Sequence, residues 1–472
     1  MRNAEARSRR RRPPWIPGGS LPHGILLECA VRERLSVRRW PSLDSSAIEC
    51  GIVFTPAPRP AFAGIALRAS APFRLLATAL LFSFALPARA DGTASVPAQS
   101  QVLRSPRGIT EVGALDGVPY RIDVPADWNR DLVVFYHGYA RQPVSFHIAS
   151  PLADKQMPFY ERHDAVIQSA YSRTGWALQQ GFLETEALRR YFVRRYGQPR
   201  ATFAVGRSMG GQLVAITLEI NPRPYAGGLD LCGSVGPSDV TFNHRFAMRA
   251  AFDYYFPNLL PPLAPLTTRY LDTLADRAAI LSALQENPSG ALAMRNLTGL
   301  RSDADLAQEV AYWTFGVQDL EQRAGGNPFD NRNFIYAGAH PANPAQDFEL
   351  NAGVRRYASS PRALAYLVHH YTPTGRLGKP MLALHTIYDP VVPMRQLELY
   401  QDEVQAAGAG QNLVQQVVDR QGHCDFTQEE VGEAFDQMVR WSEGGSRPTP
   451  GALKSDAAME ATLLLHHSQR SK

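Results

Sequence analysis

Cysteine is scarce in this chain, four in 472 residues, which sets aside a small scaffold held together by disulfides. Long apolar runs are lacking too. The run from Leu75 to Leu86 has 12 residues, well short of the roughly 20 that a membrane-crossing helix needs. Internal repeats are absent from the sequence, so solenoids and propellers are excluded. A basic surplus is missing from the part that would fold. Residues 1–90 hold 14 arginines, no lysine and 5 acids, and residues 91–472 hold 35 basic and 39 acidic residues, a net of −4. The overall +5 therefore belongs to the leader, and nucleic acid is not an expected partner. What remains, 44% hydrophobic and 20% charged, is globular composition. The length suits one large domain with an insertion, or two domains.

The leader reads as a targeting segment. Arg68 and Arg74 precede the apolar run, and Pro87-Ala88-Arg89-Ala90 follows it as a small-residue cleavage site. The expectation is a signal peptide over about 68–90, cut after Ala90, and a secreted or periplasmic mature chain without an integral membrane segment. Residues 1–65, rich in Arg and Pro, read as an upstream extension from a misassigned start. Residues 91–108 are a small, polar, flexible lead-in, 109–442 the folded domain and 443–472 a flexible tail. Cys232 and Cys424 are the cysteines left after cleavage.

Ile109–Leu115 and Val118–Val124 alternate around Asp116-Gly117, a hairpin signal. The continuous apolar run Asp131–His137 fits a strand buried on both faces. Further strands are expected at Ala165–Ser172, Ala201–Val205, Gly227–Leu231, Met381–Thr386 and Asn412–Val418, with helices between them. Residues 240–376 break this alternation with aromatic, proline-rich and helical stretches, an insertion of lid type. Strands alternating with helices imply an α/β fold with a mostly parallel sheet covered on both faces.

Gly206-Arg207-Ser208-Met209-Gly210-Gly211 lies between an expected strand and an expected helix. There a serine is lifted above a helix N-terminus by a turn too tight for side chains at its glycines. A serine hydroxyl needs a base. His423, after the last strand in Gly422-His423-Cys424-Asp425, is the candidate. The imidazole needs a buried acid to orient it, and Asp389 follows the strand before. Ser208, Asp389 and His423 thus each follow a different strand and meet at one sheet edge. The amides of Met209 and of Tyr139, after Gly138, are the expected oxyanion donors. His137 is read as a brace for that loop and His385 as core-packed. Aromatics of the insertion (Phe252, Tyr254, Tyr255, Phe256, Trp313, Phe315) either line an acyl or aryl pocket or pack the lid itself.

The segments DLVVFYHGY, GRSMGG, HTIYDPVVP and GHCDF resemble a secreted bacterial serine esterase of the α/β-hydrolase superfamily. The resemblance implies that fold over 109–442 with a lid insertion at about 240–376. It implies an acyl-enzyme mechanism on small-molecule or polymeric carboxylic esters, with no cofactor and no metal. The His-Cys pair is also similar to tannase- and feruloyl-esterase-like enzymes, in which a disulfide joins the neighbours of Ser and His; here Arg207, not Cys, precedes Ser208. A peptidase or amidase using the same triad is the second reading, and a non-catalytic binding module on the same fold the third. Cys232 ends the strand after the nucleophile's helix and Cys424 adjoins His423, so a disulfide between them is expected.

Overall fold

The computed structural model describes residues 100–265 and 269–454. The expected leader, signal peptide and cleavage site, and parts of the lead-in and tail, lie outside the described residues. The strands are β1 (Ser100–Ser105), β2 (Gly108–Leu115), β3 (Val118–Pro125), β4 (Asp131–Tyr136), β5 (Ala165–Ser169), β6 (Ala201–Arg207), β7 (Gly227–Leu231), β8 (Met381–Tyr388), β9 (Leu413–Gln421) and β10 (Gly451–Ala452). They form one sheet in the order β1-β2-β3-β5-β4-β6-β7-β8-β9-β10. Pairing is antiparallel from β1 through β3 to β5 and parallel from there on.

Local chemistry explains the pattern. Asp116 and Gly117 take φ of 51° and 83°, as a two-residue hairpin turn requires, and set Leu115 opposite Val118. In β4, Leu132, Val134 and Tyr136 join one hydrophobic cluster, and Val133 and Phe135 the other. Both faces of the central strands are thus buried, which is why they read as unbroken apolar runs.

The helices are α1 (Met157–Tyr160), α2 (Leu178–Tyr196), α3 (Met209–Ile220), α4 (Ser238–Tyr255), α5 (Leu274–Glu286), α6 (Pro288–Thr298), α7 (Asp303–Ala324), α8 (Ala345–Gly353), α9 (Pro361–Tyr371), α10 (Arg395–Ala406) and α11 (Gln428–Ser442). One side of the sheet packs on Phe159 of α1 and on Phe435 and Met438 of α11. The other packs on α2, α3 and helices of the lid. Strand order, strand direction and flanking helices are those of an α/β-hydrolase fold, with α4 to α9 inserted between β7 and β8. Among the described residues no helix is long and apolar enough to cross a membrane.

Two segments differ from the sequence reading. Ser100–Ser105, within the expected lead-in of 91–108, is an edge strand on β2. Every residue of it is exposed, so it shows no alternation of buried and exposed side chains, and antiparallel pairing with β2 holds it. Gly451–Ala452, within the expected tail of 443–472, adds a two-residue strand beside β9. Arg447 helps tether that segment by donating to the Leu413 carbonyl at 2.5 Å.

Candidate active site

β6 runs between β4 and β7, with Gly206 opposite Tyr136 on one side and Asp230 on the other. The chain then reverses into α3 through Ser208, at φ 57° and ψ −124°. A side chain at Gly206 would collide with the backbone of Gly210, and one at Gly210 with the backbone of Tyr136. That is why glycine stands at both places. Ser208 donates its amide to the Leu231 carbonyl at 2.9 Å, and its own carbonyl takes the Gly211 amide at 2.8 Å.

Three side chains from three strand ends form a line. His423 Nε2 lies 2.8 Å from Ser208 Oγ, and His423 Nδ1 lies 2.8 Å from Asp389 Oδ2. Asp389 is buried, and its Oδ1 accepts the Val391 and Val392 amides at 2.9 Å each. An ionised carboxylate offers no donor, so the imidazole proton belongs on Nδ1 and Nε2 is left to accept from the serine hydroxyl. His385 is fully buried, 3.9 Å from Asp389 Oδ2, with Nδ1 2.9 Å from the Thr386 carbonyl. Burial lowers its pKa.

The loop after β4 closes in from the other side. A Cβ on Gly138 would lie 3.1 Å from the Arg207 carbonyl and 3.2 Å from Ser208 Cβ, so Gly138 stands directly against Ser208. Met209 opens α3, where first-turn amides have no acceptor within the helix. His137 braces the loop after β4: Nδ1 is 2.7 Å from the Gly138 carbonyl, Nε2 is 3.3 Å from the Ala170 carbonyl, and the ring stacks on Tyr171 at 3.8 Å. Burial pulls the His137 pKa down to about 4, against the two backbone bonds.

The His423 loop is tied in three ways. Cys424 is joined to Cys232 by a disulfide, with Cα atoms 5.3 Å apart. Gly422 donates its amide to the Tyr388 carbonyl at 2.8 Å, and Thr386 Oγ1 donates to the Gly422 carbonyl at 2.9 Å. Arg207 Nη2 donates to the Cys424 carbonyl. The sequence reading noted Arg207 only as a residue that is not cysteine; that it reaches across to the histidine loop has no sequence signal. Cys232, Cys424 and His423 are the group among the described residues close enough together to hold a metal ion, and the disulfide occupies both sulfurs.

The lid aromatics divide. Phe252 and Phe256 stack on each other at 4.6 Å inside the lid. Tyr254 and Tyr255 line a separate cleft of about 520 Å³ with Asn287, Asn296 and His340. Phe315 meets the Tyr139 ring edge-on at 5.9 Å, as does Tyr312 at 5.4 Å. Tyr312, which sequence reasoning did not single out, thus meets the loop that abuts Ser208.

No family model and no curated protein match this chain. Solved structures similar to it include an esterase from Pyrococcus furiosus, 11% identical over 72% of this chain and 91% of its own, at a TM-score of 0.35. Feruloyl esterase B from Aspergillus oryzae is 11% identical over 75% of this chain and 88% of its own, at 0.40. A puromycin hydrolase is 16% identical over 76% of this chain, at 0.36, and the match spans only 41% of that enzyme. At these scores nothing about reaction or substrate passes from those proteins to this chain.

Proposed function

We propose that the protein is a serine hydrolase that cleaves carboxylic esters through an acyl-enzyme on Ser208. The observation that carries this reading is the line of two 2.8 Å hydrogen bonds from Asp389 through His423 to Ser208. Ser208 Oγ attacks the carbonyl carbon while His423 Nε2 takes its proton. Asp389 stabilises the imidazolium, and the amides of Met209 and Tyr139 receive the oxyanion. The tetrahedral intermediate expels the alcohol, to which His423 returns the proton. Water then repeats the sequence on the acyl-enzyme and frees the acid. Esters stand first because an alcohol leaves an acyl carbon more readily than an amine; amides are the second class that the same residues would serve.

The test is turnover of 4-nitrophenyl esters of graded acyl length beside aminoacyl 4-nitroanilides. The expected result is a kcat/KM for at least one ester well above that for every anilide. Ser208→Ala should lower it on the order of 10⁴-fold. Preference for anilides would make the protein an amidase. Full ester turnover by Ser208→Ala would reject the mechanism.

A further inference from the structure

We propose that the lid takes part in aligning the catalytic acid: Arg245, on its first helix α4, is a positioning residue for Asp389. The inference rests on the ester-hydrolase reading and adds a part to its machinery.

Asp389 opens the segment Asp389-Pro390-Val391-Val392-Pro393. Its carboxylate turns back on the chain and accepts the amides two and three residues on, at 2.9 Å each, a local turn that aspartate favours. Prolines on both sides of the two valines restrict the backbone further. These bonds hold Oδ1, and Oδ2 is left 2.8 Å from His423 Nδ1. Whatever holds the valine peptides therefore holds the acid.

The lid supplies such a hold. Arg245 Nη2 donates to the Val391 carbonyl at 2.9 Å. That carbonyl and the Val392 amide belong to one trans peptide unit, in which the two groups point opposite ways. Arg245 thus stands behind the peptide whose other side grips Asp389 Oδ1. Hydrogen bonds run unbroken from Arg245 through peptide 391–392, Asp389 and His423 to Ser208, at 2.9, 2.9, 2.8 and 2.8 Å. Bonds chained in this way polarise one another, and a cation at the head makes the Val392 amide a stronger donor to the carboxylate.

Arg245 is itself confined. It is buried on α4, with its guanidinium carbon 4.8 Å from the Phe242 ring centroid and 5.3 Å from that of Tyr312. One turn earlier on α4, Thr241 Oγ1 donates to Gln396 Oε1 at 3.0 Å, just past the acid's loop in α10. From α7, Asp305 Oδ2 accepts the Tyr388 hydroxyl at 2.9 Å, just before it. The lid meets the acid's loop before, within and after, and of these contacts Arg245's is the one made to a peptide that bonds the carboxylate.

The test is a double-mutant cycle on kcat for 4-nitrophenyl acetate, with the rate of fluorophosphonate labelling of Ser208 and the melting temperature of each variant. Arg245→Met should lower kcat and the labelling rate about 10-fold, with KM little changed. Arg245→Lys, which restores a charged donor, should recover part of the loss. In Asp389→Ala no carboxylate is left to align, so adding Arg245→Met should lower neither rate further. If Arg245→Met does not fold, Arg245→Gln, uncharged and shorter, takes its place in the cycle. An unchanged kcat in the single variant would overturn the proposal. So would an equal loss in the Asp389→Ala background, which is the mark of a role in the fold alone. If ester turnover needs Ser208 while the cycle is additive, the role of Arg245 is rejected and the ester-hydrolase reading stands. If Ser208 is labelled but no ester is cleaved, that reading fails, and the labelling rates still judge Arg245. A wild type that neither reacts nor hydrolyses esters would reject both.

Discussion

Ser208, Cys232 and Cys424 take φ of 57°, 53° and 55°, in the left-handed region that side chains rarely adopt. Each such residue costs about 1–3 kcal/mol and persists only where its surroundings fix it. All three lie within one small region, joined by the disulfide and by the Ser208–His423 hydrogen bond. His137, which braces the loop beside Ser208, gives a pH test of how firmly that region is held. Its pKa is about 4 in the fold against 6.5 for an ordinary histidine. Between these values the unfolded chain binds a proton that the folded chain does not, so stability is lost as pH falls from 6.5 to 4. The share of His137 should approach about 3 kcal/mol at the acid end. Urea unfolding at several pH values should show that His137→Asn, although less stable at pH 7, loses less on acidification than wild type. Parallel pH dependence in the two proteins would contradict the assigned pKa. That Ser208, Asp389 and His423 come together was legible in the sequence because each stands just past a different strand of one sheet. Arg207 was not, because a half-buried arginine that reaches across to another loop looks the same in a sequence as a solvated one.

The turn between β6 and α3 and the loop after β4 work as a pair, pressed together at Gly138 and Ser208. In Gly138→Ala the new methyl must displace the Arg207 carbonyl or the Ser208 side chain by a few tenths of an ångström. We expect kcat to fall several-fold, up to about 10-fold, since a full misplacement of about 1 Å can cost 10²-fold. The melting temperature should change little. Steady-state kinetics on a small activated ester decides this, and an unchanged kcat would mean that the loop plays no part in the chemistry. The central strands were legible because sheet burial on both faces leaves an unmistakable apolar run. Strand ends moved by a few residues: β6 extends through Arg207, and β8 through Tyr388 past a register shift at Ile387. β1 and β10 were missed because one is wholly exposed, with no alternation to read, and the other is only two residues long.

Across the whole molecule, the disulfide spans 192 positions of sequence. It ties the end of β7 to the histidine loop, and the entire lid lies within the loop it closes. Closing so long a loop should stabilise the protein by about 2–4 kcal/mol. The double variant Cys232→Ala/Cys424→Ala should therefore unfold at lower urea, and the His423 loop should lose register, lowering kcat/KM about 10-fold. Equal unfolding midpoints in the variant and the oxidised wild type would contradict this. The central claim concerns one oxygen atom, and the most direct measurement is mass spectrometry after treatment with a fluorophosphonate. Wild type should gain one phosphonyl group, mapped to the peptide containing Ser208, with loss of ester turnover in proportion. Ser208→Ala and His423→Ala should gain none. Labelling at another residue, or an unlabelled wild type that still hydrolyses esters, would contradict the account.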